Sequence, residues 1–242
     1  MKRPLLEVRQ ISKKIDGRYI LDQVSLEILE GQVTGLLGPN GAGKTTAFYT
    51  ITGLYKPDKG DILLLGEKVT SLPAHKRAER GLGFLAQEPS IFRDMTVEEN
   101  ILAVLEIQGH SRKEQKSRME EALEKLRLST LRYKKAQLLS GGERRRLEIA
   151  RALANRPKII LMDEPFANVD PITIQDVQEM VLELKAQGIG ILITDHNARE
   201  IFEIANYCFL MSCGQVLAQG TPQDLMASAI VKERYLGESF SM

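Results

Sequence analysis

The 242-residue sequence contains no tryptophan, three histidines and two cysteines. Cys208 and Cys213 match neither a Cys-x-x-Cys redox pair nor the ligand spacing of a zinc site, so we expect both to stay reduced and structural. No apolar run approaches the roughly 18 to 20 residues that cross a bilayer. The amino-terminal residues also lack the apolar stretch of a signal peptide. These absences predict a cytosolic protein without a membrane span of its own.

A strong charge of either sign is missing as well. The 33 lysine and arginine residues nearly cancel the 32 aspartate and glutamate residues, which leaves a formal net charge of +1. This balance gives no bulk electrostatic reason to expect a nucleic-acid partner. Hydrophobic residues make up 43% of the chain and charged residues 27%, as in an ordinary globular domain.

Short apolar segments alternate with helical patterns along the chain. Buried strands, several followed by a helix, are predicted at residues 33–37, 83–85, 158–162 and 189–194. Period-two patterning from Leu5 to Ile28 and a strand–turn–strand pattern at 63–69 add antiparallel strands. We therefore predict an α/β fold with a mixed core sheet, an amino-terminal antiparallel β part and an inserted helical lobe.

The inserted lobe is predicted from the helical patterns between Thr96 and about Leu131. Residues 110–127 within it are rich in lysine, arginine and glutamate, and we interpret them as a solvated amphipathic face in preference to a binding surface. We expect a single domain over residues 1–242. Its nucleotide-binding core spans about 1–87 and 157–242, and its helical lobe spans about 88–156.

A phosphate-binding loop follows the first predicted core strand. Residues 38–46 read G-x-x-x-x-G-K-T-T, with a strand before them and a helical pattern after them, which argues against a chance glycine-rich turn. Lys44 is expected to reach the β- and γ-phosphates of ATP, Thr45 to ligate Mg²⁺ and Thr46 to add a phosphate contact. The predicted loop contacts to ATP are Gly38, Pro39, Asn40, Gly41, Ala42, Gly43, Lys44, Thr45 and Thr46.

Polar side chains end three other predicted strands. Asp163 and Glu164 follow four apolar residues, and we expect Asp163 to hold Mg²⁺ and Glu164 to polarise an attacking water. An acidic pair at this position could instead cap the next helix. His196 is predicted to sense the γ-phosphate, although a lone histidine after a strand is more often structural. Gln87 is predicted to contact ATP and Mg²⁺.

The segment Leu139-Ser140-Gly141-Gly142-Glu143 precedes a helical pattern. Ser140 and Glu143 have the spacing of a capping box, which by itself indicates only the start of a helix. A serine and two glycines at a helix amino terminus also form a second potential anion site.

With these motifs in this order, the chain resembles the ABC ATPase family over nearly its whole length. The resemblance implies ATP hydrolysis, with Glu164 and His196 as catalytic residues, and a homodimer that packs head to tail. It also implies that each chain contacts the ATP of the partner chain through Ser140, Gly141, Gly142, Glu143 and Asp170.

The sequence is more similar to the lipopolysaccharide-export branch of that family. The phrases that carry this resemblance are residues 38–49, 87–93, 139–146, 163–167, 193–200 and 235–238. They imply a subunit on the cytoplasmic face of the inner membrane, docked beneath two integral membrane subunits. Ile91, Phe92 and Arg93 suit a groove that receives a partner's short helix, although Phe92 could instead pack the two lobes together.

Two residues depart from the family pattern. Ile15 stands where family members usually carry an aromatic residue that stacks on adenine, and Tyr19 lies close to it in the sequence. Either residue is therefore an expected adenine contact. Asn168 stands in the loop before Asp170, where the most similar sequences tend to have glycine.

Two other functions are compatible with the shared motifs. An importer ATPase of the branched-chain amino-acid type shares much of the signature helix, but residues 90–93 and 195–197 favour export. A soluble ABC ATPase, as in iron–sulfur cluster assembly, would not co-purify with membrane proteins. A DNA-repair ATPase needs a long coiled coil between the P-loop and the signature, and this interval lacks sustained heptads.

Overall fold

The computed structural model describes residues 4–88, 90–167 and 170–237. Its strands are β1 (Pro4–Ile15), β2 (Arg18–Leu29), β3 (Val33–Leu37), β4 (Lys59–Leu64), β5 (Glu67–Lys68), β6 (Leu82–Leu85), β7 (Ile159–Asp163), β8 (Gly190–Thr194), β9 (Tyr207–Ser212) and β10 (Gln215–Gly220).

Its α-helices are α1 (Lys44–Thr52), α2 (Ala74–Glu79), α3 (Val97–Ile107), α4 (Arg112–Lys125), α5 (Gly141–Leu153), α6 (Pro171–Ala186), α7 (Ala198–Ile204), α8 (Pro222–Ala227) and α9 (Ala229–Val231). Two 3₁₀ turns lie at Ser129–Leu131 and Ala136–Leu138, and a π-helical turn lies at Lys232–Leu236.

The strands form two sheets. Six of them pair in the order β10-β9-β3-β8-β7-β6, with every neighbouring pair parallel except β10 and β9. The other four pair antiparallel in the order β2-β1-β4-β5. The predicted α/β fold, with its mixed core sheet and amino-terminal antiparallel part, is confirmed.

The parallel strands are apolar on both faces because both faces are covered. In β7, Ile160 and Met162 belong to a core cluster with the helices on one side of the sheet. Ile159 and Leu161 belong to a second cluster with α1 and the antiparallel sheet on the other side. Alternate side chains of a strand point to opposite faces, so a continuous apolar run is what such a sandwiched strand requires.

The helical segment lies where the sequence predicts it, with α3 and α4 separated by a short loop. Leu105, Met119, Leu123 and Leu126 are all buried in the first core cluster. Both helices begin at a capping box, as α5 does, with a serine or threonine and a glutamate three residues later. The exact division of the chain into a core and a lobe stays a prediction.

The parallel sheet places the site because its strands end at one edge. Leu85 at the end of β6 pairs with Met162, Asp163 at the end of β7 pairs with Thr194, and Leu37 at the end of β3 leads into the glycine-rich loop. Ligands of open α/β sheets bind outside this carboxyl edge. Within the described ranges, no helix is both long and apolar enough to cross a membrane.

Candidate functional site

Three glycines of the glycine-rich loop have positive φ, and at two of them a Cβ atom would also clash with a neighbouring backbone. Gly38 has φ 148°, and a Cβ atom on it would lie 2.4 Å from the carbonyl oxygen of Met211. Gly43 has φ 101°, and a Cβ atom there would lie 2.7 Å from the carbonyl oxygen of Ile20. Gly43 is also the N-cap of α1, so the positive end of this helix faces the loop. The loop backbone and the start of α1 thus have the arrangement that an anion cradle requires, and phosphate binding there stays a prediction.

Lys44, the first residue of α1, is buried beneath the loop. Its Nζ donates to the carbonyl oxygens of Gly38 at 2.7 Å and Pro39 at 3.1 Å. Burial lowers the pKa of Lys44, while the nearby carboxylates of Glu164, Asp163 and Asp195 oppose that shift. The ammonium group is held inside the cradle by acceptors that phosphate oxygens can replace.

Asp163 is 2% exposed, and its Oδ1 atom is buried with no hydrogen-bond partner. Burial raises the pKa of Asp163 to about 6, and the adjacent Glu164 carboxylate adds to the rise. A buried carboxylate with an unused oxygen is costly unless a cation or donor reaches it. The Oδ1 atom of Asp163 is therefore available to a cation or a hydrogen-bond donor of a bound ligand.

Glu164 is held between two other predicted site residues. Its Oε2 atom accepts a hydrogen bond from Gln87 Nε2 at 2.6 Å, and its Oε1 atom lies 2.7 Å from His196 Nε2. Glu164 is 8% exposed, whereas the His196 side chain is 51% exposed. Its backbone has φ 48°, in the left-handed region. The ends of β6, β7 and β8 thus meet at one carboxylate.

Asp195 belongs to the same cluster, although the motif analysis gave it no role. It is 3% exposed, and its Oδ2 atom accepts from the backbone N–H of Phe166 at 2.9 Å. Its Oδ1 atom accepts from the backbone N–H of Asn197 at 3.0 Å. Asp195 therefore ties the loop after β7 to the turn that carries His196. Its position between Thr194 and His196 was the only available signal in the sequence.

The signature segment begins α5 as a capping box. The N–H of Glu143 donates to Ser140 Oγ at 3.2 Å, and Glu143 Oε2 accepts from the N–H of Ser140 at 2.7 Å. The hydrogen bond from the backbone N–H of Ser140 is the main cause that lowers the pKa of Glu143. Ser140 and Gly141 are exposed, whereas the Glu143 carboxylate is already engaged in the cap.

Asp170 is engaged in a similar way at the start of α6. Its carboxylate accepts from the N–H groups of Ile172 and Thr173 at 3.1 Å and from Thr173 Oγ1 at 2.7 Å. The side chain is exposed beside the signature, since a Cβ atom on Gly142 would lie 3.4 Å from Thr173 Oγ1. Asn168, the second departure in the sequence, lies outside the described residues.

The two expected adenine contacts lie on the β1–β2 hairpin. Ile15 is 37% exposed and Tyr19 is 45% exposed. The Lys14 ammonium lies 4.4 Å from the centroid of the Tyr19 ring. The carbonyl oxygen of Ile20, the next residue, abuts Gly43 of the phosphate cradle, so this hairpin flanks the site.

A groove of about 320 Å³ opens between α2, β6, α3 and α5. We call it the lobe groove, and its lining includes Leu54, His75, Ala78, Val104, Glu148 and Arg151.

Ser90 lines this groove, and residues 91–93 follow it in the chain. Phe92 is 41% exposed, Arg93 is exposed and Ile91 is half-buried against the core. The Arg151 guanidinium lies 4.6 Å from the Phe92 ring centroid and donates to the carbonyl oxygen of Ser90. Buried Asn100 accepts from the N–H of Phe92 at 2.8 Å and donates to its carbonyl oxygen at 2.9 Å.

A family model described as ABC transporter matches residues 21–167. The chain belongs to the ABC transporter family. Its relatives include the lipopolysaccharide export system ATP-binding proteins LptB of Acidithiobacillus ferridurans, Haemophilus influenzae and Escherichia coli strain K12. They are 48%, 46% and 45% identical to it, and each match covers 98% of this chain and 99% of the relative.

Solved structures of ATP-binding cassettes have the same fold. The ADP conformation of MJ1267, a cassette of an ABC transporter, matches with a TM-score of 0.88 and 34% identity over 98% of this chain and all of that one. A dimeric post-hydrolysis cassette, MJ0796 bound to ADP and phosphate, matches with a TM-score of 0.77 and 27% identity over 90% of this chain and 98% of that one. The expected family, its cassette fold and its ATPase activity are confirmed, while the roles of individual site residues stay predictions.

Replacing Asp163 by asparagine is expected to stabilise the nucleotide-free cassette. The folded-state pKa near 6 lies above the ordinary value of 3.8, so the folded state binds more protons between these values and loses stability as the pH rises through them. Asp163→Asn removes that loss, which is on the order of 3 kcal/mol above pH 6, because each pH unit between the two pKa values costs about 1.4 kcal/mol. We expect urea unfolding without nucleotide or Mg²⁺ to show the full gain at pH 8 and almost none near pH 4. An equal gain at both pH values would contradict the assigned cause.

The base subsite is expected to discriminate poorly between ATP and GTP because Ile15 offers no ring. Ile15→Tyr should strengthen ATP binding by about 0.5–1.5 kcal/mol, the extra stabilisation of a stacked aromatic pair. Competition binding with both nucleotides measures this, with Tyr19→Ala as the comparison variant. A strong preference for ATP that disappears in Tyr19→Ala would instead assign the stacking to Tyr19.

Proposed function

We propose that this chain is the ATP-hydrolysing subunit of an exporter that extracts lipopolysaccharide from the inner membrane. The observation that carries the proposal is the near-complete match to the three relatives named as lipopolysaccharide export ATP-binding proteins. A match over 98% of the chain includes the segment after Gln87 and the carboxyl-terminal helices, which lie beyond the shared nucleotide motifs.

The phosphates of ATP are expected to bind in the cradle of residues 38–46. Phosphate oxygens accept from the backbone N–H groups of the loop and from Lys44 Nζ, in place of the two carbonyl oxygens that Lys44 now contacts. The positive end of α1 adds a favourable field. Lys44 therefore contributes charge where the terminal phosphates lie.

The residues around Asp163 fit a magnesium ion. Its unpartnered Oδ1 supplies a hard oxygen ligand, Thr45 offers an exposed hydroxyl group, and Gln87 offers an amide oxygen. No group of three histidine, cysteine, aspartate or glutamate side chains forms a metal cage in the part of the chain that the structure describes. Mg²⁺ usually keeps several waters and binds through one or two carboxylates and the phosphates. Once bound, it would neutralise charge on the phosphate oxygens.

Glu164 is placed to polarise the water that attacks the γ-phosphate. Its carboxylate is a hydrogen-bond acceptor at the sheet edge, and its low exposure limits competing solvent. His196 and Gln87 hold its two oxygens from opposite sides, so the direction of the carboxylate is fixed. Hydrolysis of a phosphoanhydride depends mainly on such positioning and on charge stabilisation. His196 is also the exposed group expected to contact the γ-phosphate.

Two copies of the chain are expected to enclose ATP between them. The amino terminus of α5 is a potential anion site that is separate from the P-loop of the same chain. Its residues Ser140, Gly141 and Gly142 are exposed or half-exposed. Glu143 and Asp170 lie beside them, each engaged in a helix cap. In a symmetric homodimer, each signature then closes over the partner's nucleotide.

The lobe groove is the proposed docking site for a short helix of each membrane subunit. Phe92 offers exposed aromatic area and Arg93 an exposed cation, while Arg151 adds a second guanidinium at the groove wall. A helix that carries a carboxylate complements these groups. The 41% exposure of Phe92 supports docking over packing of the two lobes as the role of this side chain. The subunit would thus work at the cytoplasmic face of the inner membrane.

Co-purification tests the proposal and the docking site together. The tagged chain is isolated from detergent-solubilised membranes, and its partners are identified and reconstituted in proteoliposomes. We expect two membrane subunits, and ATP-dependent release of lipopolysaccharide from the vesicles. Phe92→Ala should retain folding and ATP hydrolysis but lose the partners, and Leu217→Ala, 37% exposed on β10, should keep them. A complex that moves an amino acid instead of lipopolysaccharide would overturn the export function.

Mixing two inactive variants tests the shared site. Lys44→Ala removes the phosphate contact, and Ser140→Arg blocks the signature with a bulky side chain. A mixed dimer has one site with both lesions and one intact site, so partial recovery of ATP hydrolysis is expected. If dimers that are shown to be mixed hydrolyse ATP no faster than either parent variant, that result contradicts the expectation that one intact shared site is sufficient.

A further inference from the structure

Arg77 is a buried arginine at the centre of α2. It is 1% exposed, and its guanidinium group donates four hydrogen bonds to backbone carbonyl oxygens. The acceptors are Ile51 at 2.7 Å, Thr50 at 2.8 Å, Leu72 at 2.9 Å and Thr70 at 3.0 Å. One side chain therefore joins α2, the 70–72 turn and the end of α1.

No carboxylate lies within ion-pair distance of Arg77 among the residues that the structure describes. Burial lowers the pKa of Arg77 to about 10, so the group remains charged at neutral pH. The last carbonyl groups of a helix lack intrahelical partners and carry the negative end of its dipole. Thr50 and Ile51 are in the last turn of α1, so this helix end compensates the buried cation.

The chain leaves room for this contact at Gly53. A Cβ atom on Gly53 would lie 2.8 Å from Arg77 Nε, and the residue has φ 86° as the C-cap of α1. A side chain at this position would push the guanidinium away from the helix end. The end of α1 is therefore built around the arginine.

The two elements that Arg77 joins face different parts of the molecule. On α2, Ala74, His75 and Ala78 line the lobe groove. The other end of α1 begins at Lys44 in the phosphate cradle, and the helix spans nine residues, about 13 Å. Phe48 and Ile51 of α1 are fully buried, so this helix is packed against the core.

We propose that Arg77 is a positioning residue that couples the groove wall formed by α2 to the phosphate-binding end of α1. A displacement of α2 by a docked partner then reaches Lys44 through one rigid helix. Among the described residues, the hydrogen-bond acceptors of the Arg77 guanidinium do not include Gln87 or residues 90–93, so this connection does not use the γ-phosphate contact expected of Gln87. The docking role of the groove rests on the proposed function.

Energetic coupling between two sites is reciprocal, so a nucleotide bound in the cradle must also change the local stability of α2. Hydrogen–deuterium exchange of the isolated subunit, with and without AMP-PNP and Mg²⁺, measures this effect at residues 74–79 without any membrane partner. The variants are Arg77→Met, which removes all four hydrogen bonds, and Arg77→Lys, which keeps the cation. Arg80→Met is the control, since Arg80 is an exposed arginine on the same segment.

We expect the nucleotide to slow exchange in α2 by about fivefold or more in the wild type and in Arg80→Met. In Arg77→Met the slowing should disappear from α2 while residues 38–46 remain protected by nucleotide, and Arg77→Lys should give a reduced slowing. If Arg77→Met does not fold, Arg77→Lys answers the same question. Slowing of wild-type size in the Arg77 variants would overturn the inference, as would its absence in the wild type. Neither result depends on whether the complex exports lipopolysaccharide.

Discussion

The Glu164 carboxylate holds the site together through contacts with two other side chains. Its Oε2 atom accepts a hydrogen bond from Gln87, and its Oε1 atom lies 2.7 Å from His196 Nε2. Each of the three residues follows a different strand of the parallel sheet, so the contact exists only when β6, β7 and β8 have the correct register. The carboxylate is nearly buried beside Asp163. Burial is the main cause that raises the pKa of Asp163, the Glu164 charge adds to the rise, and the Lys44 ammonium beneath the loop opposes it.

Several features at the same edge of the sheet lower the stability of the folded protein. Asp163 keeps a buried oxygen without a partner, Lys44 is bound to carbonyl groups and Glu164 has a left-handed backbone. These unfavourable features are maintained because the packing of the surrounding sheet and helices holds them in place. Away from the edge, Asn100 of α3 fixes the backbone of Phe92 through two hydrogen bonds.

The sequence predicted the parts of the molecule that are encoded locally. The phosphate loop, the strand before it, Asp163 and the capping box at Ser140 follow from short patterns, because their physical causes act within a few residues. Arg77, Arg151 and Asp195 were missed because each has a partner on another element, and no spacing in the chain reveals a buried arginine at a helix end. Tertiary packing also decided that Phe92 is partly exposed while Ile91 packs against the core. A family pattern suggested this segment, but only the fold distinguishes its two apolar side chains.

The central claim is that Glu164 polarises the water that hydrolyses ATP at this sheet edge. Steady-state phosphate release, measured together with ATP affinity in wild type and Glu164→Gln, tests it most directly. Glutamine keeps the size of the side chain and can still bond with its neighbours, but it cannot accept a proton from water. The account predicts ATP affinity close to wild type and hydrolysis reduced by about 100-fold or more. Hydrolysis within a few fold of wild type, with ATP bound at the same affinity, would contradict it.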